Sequence, residues 1–278
     1  MKTNGWIFFV MCMMLFVACD DDDKVVPPEV VENAFHTQYP TATEVKWERA
    51  GVFRKVDFKV DAKKYEVWYN MAGVWLQTES TKSYSTIPSE IKDFLNGNLE
   101  YPLTSWIPQD EVDFLERLNY PAWYGIELVQ GEQDITIWAD EEAFYHIAIE
   151  EDYDREDTPK VIRTYILQKE PSSWITKTLR WKNNNFQVNV LSGSMVKQFY
   201  FDSSMSWLYS EWPIENNQLP EAVKTALQGP AYADYTIKFV TFQERTDSAY
   251  YHIVLEKVDD PETLPMHVNI DPEGNIVS

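Results

Sequence analysis

Two Ser-x-x-Lys pairs, Ser89 with Lys92 and Ser194 with Lys197, have the residue types and spacing of acyl-serine chemistry. Such a serine needs companion motifs that supply a base and an oxyanion site, and neither pair has them. Ser89 follows Pro88 at the start of a helical pattern, where a hydroxyl serves as a capping group, and Ser194 precedes a strand. The histidines, His36, His146, His252 and His267, include no pair at the three- or four-residue helical spacing that builds a zinc site. His146 and His252 each sit inside a Tyr-His-Ile strand segment. Carboxylates are so abundant that spacing singles out no acid–base pair. The runs Asp20 to Asp23 and Asp271 to Asn275 contain oxygen ligands without EF-hand order, which points to weak, screened cation association in place of a formed site. With nine glycines in the chain there is no phosphate-cradling loop. The expectation is a non-enzyme without catalytic, cofactor or metal residues.

The two cysteines, Cys12 and Cys19, both lie at the N-terminus, so the body must be held by its core; 44% hydrophobic and 15% aromatic residues allow that. Lys2, an apolar run from Trp6 to Val17, and Ala18 form the zones of a secretory signal; the run falls short of the ~20 residues that span a bilayer. Leu15-Phe16-Val17-Ala18-Cys19 resembles a bacterial lipobox, with Phe16 in place of the usual Leu. The likeness implies that residues 1–18 are removed and Cys19 is lipidated, with ordinary secretion as the alternative. Asp20 to Lys24 then resembles the surface-export signals of Bacteroidetes lipoproteins, whereas in enterobacteria an Asp after the cysteine implies inner-membrane retention. The expected address is the cell envelope, as an outer-membrane lipoprotein facing the periplasm or the surface, with residues 19–26 as an acidic tether.

A net charge of −21 excludes nucleic acid as partner, because phosphate binding needs clustered Lys and Arg, and it opposes contact with anionic lipid other than through the anchor. A basic protein, a neutral glycan or divalent cations remain compatible with it on charge alone.

The elements that must position any site are repeated. Behind Pro28, Pro88, Pro159 and Pro220 the third, sixth and seventh residues are Val31/Ala34/Phe35, Ile91/Phe94/Leu95, Ile162/Tyr165/Ile166 and Val223/Ala226/Leu227, which paint one face of a helix. A second proline follows each helix, at Pro40, Pro102, Pro171 and Pro230. Period-two stretches such as Val56, Phe58 and Val60 then predict half-buried strands, ending in Asx turns at Asn70, Asp140, Asp202 and Asp271. A shift of about 131 residues carries the first copy onto the third and the second onto the fourth. The unit of duplication is therefore a pair. The run Glu150 to Asp157, whose like charges disfavour burial, reads as a linker over 150–158 between domains 27–149 and 159–278. The predicted fold is α+β: two tandem domains, each of two helix-plus-antiparallel-meander repeats, with the helices packed on one face of an antiparallel sheet.

Pro28, Val31, Ala34 and Phe35, continuing through Tyr39-Pro40, Val45, Trp47, the Asn70 to Gly73 turn and Thr78-Glu79, resemble the β-lactamase-inhibitor-like, PepSY-like domains of exported Bacteroidetes proteins. Copy one matches best; copy three has Glu170-Pro171 in place of Tyr-Pro. The resemblance covers almost the whole mature chain and implies a helix-on-concave-sheet fold with a non-enzymatic role.

Two residues before each turn stand Trp68, Trp138, Tyr200 and Asn269, flanked by Val67/Tyr69, Ile137/Ala139, Phe199/Phe201 and Val268/Ile270. Alternation sends the flanking pairs to the helix face. Trp68, Trp138 and Tyr200 then fall on the opposite face, which is expected to be open and to recognise a protein or peptide. Cross-strand packing that stiffens the sheet is the alternative for these aromatics. Alternatives for the whole chain are a carboxylate-based envelope hydrolase, marked by two acids paired across the open sheet, and a non-binding spacer without an aromatic patch.

Overall fold

A computed structural model describes residues 25–98, 100–140, 145–153, 155–260 and 265–277. The expected signal sequence, Cys19 and the acidic run Asp20 to Lys24 lie outside the described residues. Helix α1 (Glu29–Gln38) leads β1 (Thr43–Ala50), β2 (Phe53–Val60), β3 (Lys63–Tyr69) and β4 (Trp75–Ser83). Helix α2 (Ser89–Gly97) leads β5 (Ile107–Pro108), β6 (Glu111–Arg117), β7 (Trp123–Gln130), β8 (Gln133–Ala139) and β9 (Tyr145–Tyr153). Helix α3 (Lys160–Lys169) leads β10 (Trp174–Trp181), β11 (Phe186–Ser192), β12 (Met195–Phe201) and β13 (Trp207–Pro213). Helix α4 (Glu221–Leu227) leads β14 (Tyr235–Glu244), β15 (Ala249–Lys257), β16 (Met266–Ile270) and β17 (Ile276–Val277). No helix among the described residues is long and apolar enough to cross a membrane.

Each opening proline occupies the position just before its helix, with an extended ψ and no side-chain cap. Its carbonyl accepts the first helical bond, from Glu32 (3.0 Å), Lys92 (3.3 Å), Arg163 (3.0 Å) and Lys224 (3.1 Å) respectively. Proline serves here because its φ is fixed and the N–H it lacks has no helical role at that point. One turn apart, Val31 and Phe35, Ile91 and Leu95, and Ile162 and Ile166 are buried, as is Val223.

Consecutive strands pair antiparallel from β1 to β4, β4 pairs with β6, and pairing continues unbroken from β6 to β17, with β5 extending the β6 edge against β7. The sheet does not stop at the expected linker. Residues 145–153 form β9 and pair with β10 through Thr178↔Tyr153, Arg180↔Glu150 and Trp181↔Ala148. The main chain of this stretch is paired because a charge pattern records solvent preference and not backbone hydrogen bonding.

Helices cover one face. Val56, Phe58, Val67 and Tyr69 pack under α1, Ile126, Leu128 and Ile137 under α2, Val188, Phe199 and Phe201 under α3, and Ile253, Val268 and Ile270 under α4. The opposite face curls onto itself. Ala50, Phe53, Trp68 and Leu76 share a core with Leu191 and Val196, while Leu115, Trp123 and Trp138 share one with Leu179 and Trp181. Polar links cross the same seam, from Thr176 Oγ1 to Gln77 Oε1 (3.1 Å) and from Lys177 to Glu79 (3.7 Å). The layers therefore run helix, sheet, sheet, helix.

Candidate functional site

The flanking pairs and the aromatics separate as alternation dictates. Tyr69 lies with α1, Ala139 with α2 and Phe201 with α3, while Trp68 and Trp138 turn to the other side. That side is not open. Trp68 is 4% and Trp138 1% exposed, because the other half of the sheet lies over them. Trp138 also lies across its cross-strand partner Gly125, where an added Cβ would meet the indole at 2.8 Å. Both tryptophans are core, and the expected exposed binding face is corrected to an internal seam. Tyr200 stays apart from them, half-buried on the wall of a cavity of about 220 Å³ at one end of that seam.

From the first half of the chain come Arg117 at the end of β6, Tyr120, Trp123, Asp140 and His146; from the second come paired-register side chains of β12 to β16. Gln198 and Tyr200, Tyr209 and Glu211, Phe239, Thr241 and Gln243, and His252 and Val254 are each two residues apart, so strand pleating turns every one of them inward.

Arg117 is the centre of this arrangement. It is 2% exposed and packed between the rings of Tyr120 (4.7 Å) and Trp123 (5.4 Å), a cation–π geometry. Burial draws its pKa below the usual guanidinium value, against the nearby Tyr120, Tyr200, Glu211 and Asp140, which support the charge. With its amide oxygen turned towards Arg117, Gln198 accepts from Arg117 Nη1 and from Gln187 Nε2 (2.9 Å), and donates to Glu211 Oε1 (2.8 Å) and Tyr200 (2.8 Å). Glu211 also accepts from Tyr200 (2.9 Å) and Gln243 (2.8 Å), and its backbone carbonyl accepts from Tyr120 (3.1 Å). Desolvation raises the pKa of Tyr120 and Tyr200 well above the usual phenol value, with Glu211 adding to it, so both keep their protons. Arg117 Nε and Nη2 and the Thr241 hydroxyl, buried in this wall, find no hydrogen-bond partner within the protein.

Three of the four histidines line the cavity. His252 bonds Asn269 through Nδ1 (2.8 Å) and approaches His267 Nδ1 through Nε2 (3.1 Å), while His146 stacks on Trp181 at 4.8 Å and is held towards the neutral form by burial. His36 is exposed on α1. Among the described residues no group of three or more His, Cys, Asp or Glu is arranged to hold a metal. The Ser-x-x-Lys pairs do not assemble. Ser89 bonds Glu90 (3.2 Å) and Lys92 the Ser85 carbonyl (2.8 Å), while Lys197 is held by Glu170 (2.5 Å) away from the exposed Ser194.

Of the three aromatics singled out in the sequence only Tyr200 lines the cavity, and Arg117, Glu211 and Thr241, which line it too, were not singled out. The signal was present as polar residues at period two on the face opposite the core positions, most plainly in Phe239-x-Thr241-x-Gln243.

The family model described as "Putative beta-lactamase-inhibitor-like, PepSY-like" matches residues 52–143 and again residues 184–278, together more than half of the chain. Solved structures similar to it include a BLIP-like protein from Bacteroides fragilis NCTC 9343, at 25% identity over 49% of this chain and 96% of that one, with a TM-score of 0.39. A DUF2874 family protein from Bacteroides ovatus ATCC 8483 matches at 20% identity over 43% and 84%, with a TM-score of 0.36. A protein from Bacteroides eggerthii DSM 20697, described as "putative periplasmic", matches at 14% over 44% and 86%, with a TM-score of 0.37. No curated protein matches the chain.

Proposed function

The chain belongs to the β-lactamase-inhibitor-like, PepSY-like family, and from that premise we propose that it is an exported, lipid-anchored binding protein whose recognition site is the cavity inside the folded-back sheet. One observation carries the reading: a cavity of about 220 Å³ that both halves of the chain line, with Glu211, Gln243, His252 and His267 on its wall. Binding is favoured over turnover because Glu211 commits its oxygens to three neutral donors and the tyrosines beside it keep their protons. The phenols are not poised to move a proton.

The same reading places lipid on Cys19 and the body in the envelope, and treats residues 27–149 and 159–278 as duplicated units joined back to back. Protein recognition through an open aromatic face is not part of it, since Trp68 and Trp138 are covered. The test uses the soluble body, residues 25–278, incubated with a small-molecule extract of the envelope and examined by native mass spectrometry. A bound mass that disappears when Val254→Trp fills the cavity, with the melting temperature unchanged, supports the reading; no bound mass, or one indifferent to Val254→Trp, ends it. Incorporation of a labelled fatty acid that is lost on Cys19→Ala tests the anchor separately.

A further inference from the structure

We propose that His252 and His267 form a two-imidazole site for a first-row divalent ion of the copper, nickel and zinc class, with the remaining coordination positions left to water or an exogenous ligand. The site is independent of the small-molecule reading above. In the sequence the two histidines stand 15 positions apart, a spacing that joins them on no single helix or strand. Strand register brings them together. His252 on β15 lies opposite Asn269 on β16, and Val254 opposite His267, so the histidines are diagonal neighbours on one sheet face, a separation that long side chains bridge. Both line the cavity, His252 half-buried and His267 exposed, which gives an ion a path in from solvent.

The distance suits chelation. His252 Nε2 and His267 Nδ1 are 3.1 Å apart, with ring centroids at 5.2 Å. At metal–imidazole bonds of about 2.0–2.1 Å, two ligands of one ion lie roughly 2.9 Å apart at a right angle and roughly 3.3–3.4 Å apart at the tetrahedral angle. The observed separation falls between these limits, so the chelating distance is already built into the strand register. The tautomer is set as well. His252 Nδ1 lies 2.8 Å from Asn269 Oδ1, which only accepts, so the neutral ring carries its proton there and turns the bare Nε2 lone pair towards His267. Giving one ring N–H to a carbonyl while the other nitrogen faces the ion is how proteins orient metal-ligating histidine. Without metal the Nδ1–H of His267 donates to that lone pair; on binding, the ion takes the place of the proton, which moves to Nε2 of the same ring.

Two neutral nitrogen donors select the class of ion. Imidazole suits copper, nickel and zinc, with copper first in the order of divalent affinities, whereas magnesium and calcium require oxygen ligands. A chain of net charge −21 favours a cation over an anionic ligand. With two protein ligands the ion is exchangeable and keeps open positions, unlike a four-ligand structural zinc. That agrees with the absence, among the described residues, of any larger group of His, Cys, Asp or Glu arranged for a metal.

The experiment titrates the untagged body, residues 25–278, with Cu(II), and in parallel with Ni(II), Zn(II) and Mg(II), by calorimetry, and records the electron paramagnetic resonance of the copper form. One Cu(II) per chain is expected, with nitrogen coupling from two imidazoles, and no binding of Mg(II). His252→Ala and His267→Ala are each expected to weaken copper binding about tenfold or more, Asn269→Leu about tenfold through loss of the tautomer control, and His36→Ala, on the exposed face of α1, not at all. Zn(II)-induced shifts of the His252 and His267 ring resonances read the same ligands in the unsubstituted protein. Copper binding that survives either cavity substitution, or is lost with His36→Ala, reveals an adventitious surface site and overturns the proposal. Ring resonances indifferent to Zn(II) overturn it too and leave the pair as a plain hydrogen bond. Saturable copper binding without any bound mass from the envelope extract ends the small-molecule reading and leaves the metal site standing.

Discussion

Thr241 and Arg117 make opposite demands on the protein that contains them. A buried hydroxyl without a partner lowers stability, so Thr241→Val is expected to raise the unfolding free energy by about 1 kcal/mol in chemical denaturation. Arg117→Met should do the reverse, costing about 3–5 kcal/mol because Glu211 and Asp140 lose their buried counter-charge. His146 supplies the pH dependence. Burial against Trp181 lowers its pKa from the ordinary 6.5, so as pH falls through that value the unfolded chain takes up the proton first and stability drops. Melting temperature is expected to fall on acidification from roughly pH 7.5 to 5.5, and less steeply in His146→Gln. The chemistry-bearing residues were the least legible part of the sequence. Glu211 and Gln243 lie 32 positions apart, and nothing in a linear pattern says that Arg117 of the first half ends beside them.

At the level of elements the pattern reads well wherever local physics decides. The proline before each helix, the seven-residue reach from proline to second buried side chain, and the inward and outward parity of β3, β8 and β12 all follow from periods of 3.6 and 2. The turns are equally local. Gly73 and Gly274 both have positive φ, and a Cβ there would lie 2.8 Å from the Val30 or Ala222 carbonyl in the first turn of the helix beneath. The corresponding turn of the third copy places Met205 at φ 65°. Gly73→Ala is therefore expected to destabilise by more than about 1 kcal/mol, read from thermal unfolding, whereas at Met205 the left-handed backbone is offset by packing of the side chain against the α3 core. What a period cannot show is the partner of a face. Trp68 and Trp138 were rightly put opposite the helices, yet their burial depends on strands more than forty residues away.

For the molecule as a whole, the shared seam makes the halves interdependent. Trp138→Ala is expected to cost about 3–5 kcal/mol and to shift a single cooperative transition, not one of two, because Trp123 and Trp138 of one half pack with Leu179 and Trp181 of the other. Two resolved calorimetric transitions would contradict this. The acidic run that reads as a break in the chain proves to be a strand at its start, since a charge pattern records solvent preference and not hydrogen-bond pairing. Synthesis adds a consequence in time. Residues 43–83 leave the ribosome before Leu191 and Val196 exist, and at roughly 5–20 residues per second the delay is on the order of ten seconds. Throughout that interval the nascent first half lacks the strands that cover Trp68 and Leu76 in the finished fold.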